Sequence, residues 1–123
     1  MGQKAPWKPT ALVVEDDDLQ REFVAVLLEE SDMCVIQCES AEVALRVLDD
    51  VGASLSMLFT DVSLPGSLDG VELAYAARRQ KPDMRVIVTS GFPLTRRLPE
   101  GTKFMPKPWA PLDLLREVER SRH

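Results

Sequence analysis

Polar groups of several types follow short apolar runs in this chain, and together they suit phosphoryl chemistry. Glu15 and Asp16 come directly after the first run, Asp61 follows the third, Ser90 the fourth, and Lys107 the last. If these runs are parallel strands, their carboxyl ends meet at one edge of a sheet. Carboxylates, a hydroxyl and a cation gathered at one edge are typical of a metal-assisted phosphoryl-transfer site.

The acidic run at residues 15–18 has two interpretations. Aspartates at a helix start complement the helix dipole and cap free N–H groups, which explains Asp17 or Asp18. Four acids in a row also repel one another unless a cation is present. Hard oxygen ligands suit Mg²⁺, which binds one or two carboxylates and keeps waters for its remaining positions. Taken alone, the run does not decide between the two.

Asp61, Ser90 and Lys107 each admit a structural role as well. An aspartate at a strand end often forms an Asx turn, a loop hydroxyl can bond to backbone, and a lysine before proline can lie on the surface. As a nucleophile, however, the Asp61 carboxylate can accept a phosphoryl group and form an acyl phosphate when cations offset the charge. Asp61, Ser90 and Lys107 are predicted to lie at the same sheet edge as the acidic run, which favours a phosphoryl-transfer role over a structural one.

Hydrophobic periodicity alternates between strands and helices along the chain. Strand-like runs cover residues 11–14, 33–38, 55–60, 86–88 and 103–105. Helical stripes follow all of them except the fourth, with Ser40 and Asp69 as N-caps and Pro111 opening the last helix. This pattern predicts an α/β domain with an open, doubly wound parallel sheet. Residues 1–10 form a lead-in, residues 11–120 the domain and residues 121–123 a tail.

Composition excludes several classes of protein. At 123 residues and 45% hydrophobic content, the chain fits one domain. No apolar run approaches the roughly 20 residues of a membrane span, and the N-terminus lacks a signal peptide, so we expect a cytoplasmic protein without a membrane partner. The net charge of −5 argues against direct nucleic-acid binding.

The two cysteines are predicted to be structural. Cys34 and Cys38 lie four apart in a predicted strand, so their side chains share a face but stand about 13 Å apart. That separation is too large for a disulfide, and the spacing is not that of a zinc or redox pair. We therefore expect two buried thiols.

An ordered set of motifs extends these observations from about Leu12 to Val118. The set comprises Val13-Val14-Glu15-Asp16, Thr60-Asp61 with Pro65, Asp69-Gly70, Val88-Thr89-Ser90-Gly91 and Lys107-Pro108-Trp109. In this order they resemble the receiver domain of two-component response regulators. The resemblance implies a five-stranded, flavodoxin-like sheet of order 2-1-3-4-5. It also implies a phosphoacceptor regulator rather than a dedicated enzyme, with slow autodephosphorylation.

The resemblance further assigns roles around the nucleophile. Asp61 would take a phosphoryl group from a histidine kinase or histidine phosphotransfer protein. Asp16 and Asp61 would bind Mg²⁺ directly, together with the backbone carbonyl of Ser63, and Glu15 would act through water. Phosphorylation would then switch contacts with a downstream protein that the sequence does not identify.

The resemblance also implies which residues would contact the phosphoryl group and respond to it. Ser90 and Lys107 would each contact a phosphoryl oxygen, and Phe104 matches the family's switch aromatic. Because strand neighbours point to opposite faces, only one hydroxyl of the Thr89–Ser90 pair reaches the site directly, and counting along the strand favours Ser90. Whether Thr89 contributes stays open. Phe92, two residues past Ser90, is expected to shield the acyl phosphate.

Two intervals depart from the family's usual pattern. The loop between Asp61 and Gly70 carries one residue more than is common. The interval from Ser90 to Lys107 is too short for the family's fourth helix, and Pro93 leaves room for about one turn. We therefore expect a shortened or missing fourth helix.

The family generally dimerises through the fourth helix, fifth strand and fifth helix. Because the fourth helix is expected to be shortened or missing, we also expect no phosphorylation-driven dimer through this surface.

Two other functions remain as alternatives. A haloacid-type hydrolase also uses a nucleophilic aspartate with Mg²⁺, but it needs a second acid two residues on, where this chain has Ser63. A receiver-like module could instead bind partners without phosphorylation. The sequence also leaves open whether the domain acts alone or belongs to a longer protein.

Overall fold

Five strands and four α-helices make up the part of the chain that this computed structural model describes, residues 8–121. The strands are β1 (Thr10–Val14), β2 (Cys34–Cys38), β3 (Met57–Asp61), β4 (Arg85–Ser90) and β5 (Lys103–Pro106). The helices are α1 (Asp18–Glu30), α2 (Ala41–Val51), α3 (Gly70–Gln80) and α4 (Pro111–Ser121), and a 3₁₀ turn at Gly52–Ser54 follows α2. Most of the predicted lead-in, residues 1–7, and residues 122–123 of the predicted tail lie outside the described residues.

The strands form one parallel sheet of order β2-β1-β3-β4-β5, which confirms the predicted topology. Val14 pairs with Thr60, the next residue Asp61 pairs with Thr89, and Ser90 pairs with Pro106. The strand ends are therefore aligned across the sheet. Groups that follow β1, β3, β4 and β5 meet at one edge.

Two apolar layers hold the sheet between its helices. One core cluster joins the even-numbered positions of β1, such as Leu12, to α2 and α3. The other joins the odd-numbered positions, such as Val13, to α1 and α4. The central strands are apolar on both faces because helices cover both of them.

The predicted caps position the helices. Asp17 caps α1 by accepting a hydrogen bond from Gln20 N–H, and Ser40 caps α2 through Val43 N–H. Asp69 caps α3 and forms a capping box with Glu72. Each cap satisfies backbone donors that a helix start leaves unpaired.

The fourth helix of the family's usual pattern is missing, as predicted. Residues 91–102, here called the strap, connect β4 to β5 without a helix or a strand. The strap runs along α3: Arg96 forms an ion pair with Asp69, and the Tyr75 hydroxyl donates to the Arg97 carbonyl at 2.7 Å. Leu98 packs against the core beneath.

The expectation of two buried thiols was wrong for Cys34. Both cysteines are free, but Cys34 is exposed and only Cys38 is buried. Cys34 is the first residue of β2, an edge strand, where burial is least complete.

None of the four helices within residues 8–121 has the length and apolar character that a bilayer span requires.

Candidate functional site

Asp61 is the last residue of β3, and its side chain is held at the edge of the sheet. The residue is only 6% exposed. Its Oδ2 accepts a hydrogen bond from Lys107 Nζ at 2.8 Å, and its Oδ1 accepts one from Ser63 N–H at 3.3 Å. The backbone beyond it is fixed by a 2.9 Å bond from Val62 N–H to the Thr89 carbonyl. The nucleophile predicted from sequence is therefore oriented by a cation and a backbone donor.

Lys107 contacts Asp61 at the end of β3, Glu15 after β1 and Gln20 on α1. Its ammonium group donates to Asp61 at 2.8 Å, to Gln20 Oε1 at 2.9 Å and to Glu15 Oε1 at 3.5 Å. Its own backbone N–H donates to the Ser90 carbonyl at 2.8 Å, which ties it to β4. Burial opposes the charged form, but the hydrogen bond and charge of Asp61, with help from Glu15, raise the pKa of Lys107. The lysine stays charged at neutral pH.

Glu15 follows β1 and is almost fully buried, at 3% exposure. It accepts a 3.0 Å hydrogen bond from Asp17 N–H. Burial, supported by the nearby Asp61 carboxylate, raises the pKa of Glu15 to about 7, although Asp17 N–H and Lys107 oppose the shift. Glu15 therefore keeps its proton to a higher pH than an ordinary glutamate does.

Asp16 and Ser63, predicted to help hold Mg²⁺, lie on the exposed rim. No set of three or more His, Cys, Asp or Glu side chains within residues 8–121 is gathered tightly enough to hold a metal ion. The donor chemistry nevertheless fits a hard divalent cation. Lys107 Nζ lies 2.8 Å from Asp61 Oδ2 and 3.5 Å from Glu15 Oε1, so two carboxyl groups share one nearby cation.

The two adjacent hydroxyls have different surroundings. Thr89 is buried and donates its hydroxyl to the Met105 carbonyl at 2.7 Å. Ser90 Oγ accepts a 3.1 Å hydrogen bond from Phe92 N–H. No acceptor for the Ser90 hydroxyl proton is found within residues 8–121. Only Ser90 therefore keeps a proton available to an oxygen atom bound near Asp61.

The two aromatic side chains singled out from sequence lie in different environments. Phe104, on β5 opposite Val88, is half-buried and packs against the core layer of α2 and α3. Phe92 is 73% exposed. A ring that exposed gives no support to the expectation that Phe92 shields the site.

Comparison with known proteins identifies the family of this chain. Residues 11–119 match the family model described as the response regulator receiver domain. The chain belongs to this family. It is 30% identical to the response regulator receiver protein CpdR of Brucella abortus, over 89% of this chain and 92% of CpdR. It is 31% identical to the sensor kinase CckA of the same organism over 82% of this chain, but spans only 11% of that kinase.

Solved receiver structures share the fold of this receiver domain. The receiver domain of the hybrid histidine kinase CckA is 29% identical and superposes with a TM-score of 0.81, over 93% of this chain and 99% of that one. A response regulator receiver protein from Sinorhizobium medicae has a TM-score of 0.85 at 22% identity, over 93% and 94% of the two chains. At 22% identity, the similarity to the Sinorhizobium medicae protein shows a shared fold only.

Sequence reasoning missed Gln20 as a site residue. Gln20 lies in the first turn of α1 of this receiver domain, and its side-chain oxygen accepts a hydrogen bond from the Lys107 ammonium group. Its position, four residues past Asp16, was the available signal. The amide thus helps to fix the lysine that contacts Asp61.

Gly70 was noted as part of a motif, but its physical role was not. A Cβ atom at Gly70 would stand 1.9 Å from the Asp61 carbonyl oxygen. Its N–H also donates to the Val62 carbonyl at 2.9 Å. The start of α3 therefore rests directly on the backbone of the candidate nucleophile, an approach that only glycine permits.

The loop with the extra residue is anchored to α2. The Glu42 carboxylate accepts hydrogen bonds from Ser67 N–H at 3.0 Å and Leu68 N–H at 3.1 Å. Its own backbone N–H, then those of Ser67 and Leu68, lower the pKa of Glu42. Gly66 enters this turn with a φ of 93°, a conformation that favours glycine. The longer loop therefore has a defined support outside the site.

Proposed function

We propose that this receiver domain accepts a phosphoryl group on Asp61 from a histidine kinase or histidine phosphotransfer protein, in a Mg²⁺-dependent reaction. The observation that carries the proposal is the pairing of a buried Asp61 carboxylate with Lys107 at 2.8 Å. Phosphorylation would then change the contacts that the domain makes with another protein.

The chemistry follows from the groups around Asp61. A carboxylate oxygen of Asp61 attacks phosphorus, the phosphorus–nitrogen bond of a donor phosphohistidine breaks, and the imidazole leaves with its electron pair. The product is an acyl phosphate on Asp61. Lys107 offsets its charge from one side, and the Ser90 hydroxyl can donate to a phosphoryl oxygen.

A divalent cation completes the proposal. Asp16, Asp61 and the carbonyl of Ser63 would hold Mg²⁺, with Glu15 acting through water. Bound there, the ion would neutralise negative charge on the transferred group. The surplus of carboxylates around Lys107 supports this assignment.

An apolar rim beside the site supports a protein donor. Leu19 is 83% exposed on α1, and the half-exposed Phe23 ring lies 6.2 Å from Trp109, two residues past Lys107. Exposed apolar groups next to a reactive group are typical of a protein-docking surface. The similarity to CckA, which is named a sensor kinase, supports a histidine kinase as the phosphoryl donor.

Phosphorylation-independent binding is the second candidate function. The observation that favours it is that the described carboxylates do not gather into a group of three. A hydrolase is disfavoured because position 63 holds an exposed serine rather than a second acid.

The experiment is labelling with acetyl phosphate, with and without Mg²⁺, followed by peptide mass spectrometry. We expect a stable, Mg²⁺-dependent phosphoryl group on Asp61 that the Asp61→Asn variant does not acquire. Asp50→Asn, which removes the same charge from an exposed position on α2, is the matched control and should label like the unmodified chain. Rapid multiple turnover would indicate a hydrolase. Complete absence of labelling would indicate a binding-only module.

A further inference from the structure

Arg21, the fourth residue of α1, binds the backbone of the acidic run that follows β1. Its Nη1 donates a hydrogen bond to the Glu15 carbonyl oxygen at 2.9 Å, and its Nη2 donates to Asp18 Oδ1 at 2.8 Å. Its Nε donates to Gln37 Oε1 at 3.2 Å. The Arg21 side chain is only 14% exposed. One planar guanidinium group therefore joins the loop after β1 to α1 and to β2.

The Glu15 carbonyl belongs to the peptide group that links Glu15 to Asp16. The other side of Glu15 is fixed as well, because its N–H donates to the Cys38 carbonyl at 3.1 Å and its Oε2 accepts from Asp17 N–H at 3.0 Å. Arg21 fixes the side that leads to Asp16. The exposed Asp16 side chain makes no hydrogen bond or ion pair within residues 8–121, so its direction depends on this backbone.

An ordinary surface ion pair does not account for these contacts. The pair of Arg21 with Asp18 joins residues three apart on one helix, and the Asp18 side chain is 84% exposed, so that pair contributes little. The bond to the Glu15 carbonyl is different. It is a charge-assisted hydrogen bond from a largely buried donor to a backbone acceptor in another segment, and such bonds are stronger than neutral ones.

The charge of Arg21 acts on the same region. Burial raises the pKa of the Cys38 thiol at the end of β2, and the Arg21 charge opposes that rise. A positive charge beside the acidic run also repels a divalent cation. Arg21 therefore has two opposite effects on an ion held by Asp16. Its hydrogen bond favours binding by ordering the ligand, and its charge disfavours binding.

We propose that Arg21 is a positioning residue for the divalent ion, which holds the Asp16 backbone so that the Asp16 carboxylate loses less conformational freedom when Mg²⁺ binds. This inference rests on the proposed function. Residues that orient metal ligands contribute to metal affinity without contacting the metal. Within residues 8–121, Arg21 makes no hydrogen bond to Asp61 or Lys107, so it should affect ion binding rather than the transfer step.

Two substitutions separate the hydrogen bond from the charge. Mg²⁺ affinity is measured on the full chain by competition with Mn²⁺, whose electron paramagnetic resonance signal reports the free ion. Arg21→Lys keeps the charge but loses the planar fork, so we expect its Mg²⁺ dissociation constant to rise about tenfold. Arg21→Met loses both, and we expect a smaller rise, because removal of the cation partly compensates for the lost hydrogen bond.

Labelling with acetyl phosphate across a range of Mg²⁺ concentrations supplies a second readout. In Arg21→Lys, the half-saturating Mg²⁺ concentration should rise with the dissociation constant, whereas the labelling rate at saturating Mg²⁺ should stay within about twofold of the unmodified chain. A loss of stability alone would not move the Mg²⁺ requirement. The phosphoryl mimic beryllofluoride, followed by fluorine NMR, should likewise need more Mg²⁺ to bind Arg21→Lys.

Arg79 provides the matched control. It is exposed, and it lies next to the last residue of α3, about 14 Å along the helix from Gly70, which adjoins Asp61. Arg79→Lys and Arg79→Met make the same chemical changes away from the site. Both should bind Mg²⁺ as the unmodified chain does.

The outcomes separate the positioning role from the function on which it rests. Unchanged Mg²⁺ affinity in both Arg21 variants, in a chain that is labelled on Asp61, would overturn the positioning role and leave the proposed function standing. Tighter binding in Arg21→Met with no change in Arg21→Lys would also overturn it, since only the charge of Arg21 would then act. An unmodified chain that neither binds Mg²⁺ nor becomes labelled would overturn both.

Discussion

Glu15 and Asp61 place two buried carboxyl groups beside one ammonium group, and burial is the main cause of the raised pKa of Glu15. Lys107 lies closer to Asp61 than to Glu15, at 2.8 Å against 3.5 Å. Burial, together with the nearby Asp61 carboxylate, raises the pKa of Glu15, and the more distant Lys107 only partly offsets that rise.

This charge distribution predicts a pH-dependent stability in the absence of divalent cations. Because folding raises the pKa of Glu15 from 4.5 to about 7, the folded chain binds more protons than the unfolded chain between those values. The contribution to stability is full below about pH 4.5 and is lost as the pH rises through 7. Glu15→Gln lacks this titration. Between pH 5.5 and pH 8, the unmodified chain should therefore lose about 2 kcal/mol of unfolding free energy relative to Glu15→Gln.

Urea denaturation at the two pH values, in a chelating buffer, measures this difference. Glu29→Gln removes the same charge from an exposed position on α1 and should show no such gain. Equal pH dependence of Glu15→Gln and the unmodified chain would show that Glu15 titrates at its ordinary pKa.

At the residue scale, sequence predicted the groups that carry charge better than the groups that support them. Asp61, Glu15 and Lys107 were predicted to meet, because each follows a strand of a parallel sheet, and the structure brings them together. Gln20 was not found, because its position four residues past Asp16 was its only signal and a glutamine on a helix surface adds no hydrophobic periodicity. The exposure of Asp16 was also not foreseen, because the direction of a side chain at a loop depends on local packing.

At the element scale, the docking of α3 onto the end of β3 depends on Gly70. A methyl group there would meet the Asp61 carbonyl oxygen at 1.9 Å, so either the helix or the Asp61 backbone must move. We expect Gly70→Ala to lower the free energy of unfolding by about 2 kcal/mol or more. We also expect slower phosphorylation of Asp61, because its carboxylate would no longer be aligned with Lys107.

Gly91→Ala is the matched control for this substitution. Gly91 also adjoins the site, but a Cβ atom there would have nothing within 4 Å. The unfolding free energy of Gly91→Ala should stay within about 0.5 kcal/mol of that of the unmodified chain. Similar losses in the two variants, measured by denaturant unfolding, would show that helix or turn propensity rather than the close approach is responsible.

Sequence was sufficient to predict which elements exist and insufficient to predict how the strap lies. The missing helix followed from the short interval and from Pro93, which are local properties. The path of the strap along α3 follows from Arg96–Asp69 and Tyr75–Arg97, pairs that are 22 to 27 residues apart in the chain. Such contacts depend on the assembled sheet and have no signature in a single sequence.

At the scale of the whole molecule, the loss of the fourth helix leaves one end of the sheet sparsely covered. Beyond β4 stand β5, with 4 residues, and α4. The cavity of about 320 Å³ at this end is lined by charged residues of both signs, among them Lys103, Arg116, Arg120, Asp113 and Glu117. Glu117 forms ion pairs with Lys103 and Arg120, so these charges already have partners within one copy.

We therefore expect no phosphorylation-driven dimer through the face formed by β5 and α4. A stable interface usually buries about 1,200 to 2,000 Å² of surface, and a short strand beside a single helix offers little of the apolar core that such an interface needs. Light scattering should give equal masses with and without beryllofluoride and Mg²⁺. Lys103→Glu, which alters this face without touching Asp61, should leave both masses unchanged. A mimic-induced doubling of mass that Lys103→Glu abolishes would show instead that this face does form the dimer, and that a helix between β4 and β5 is not required for it.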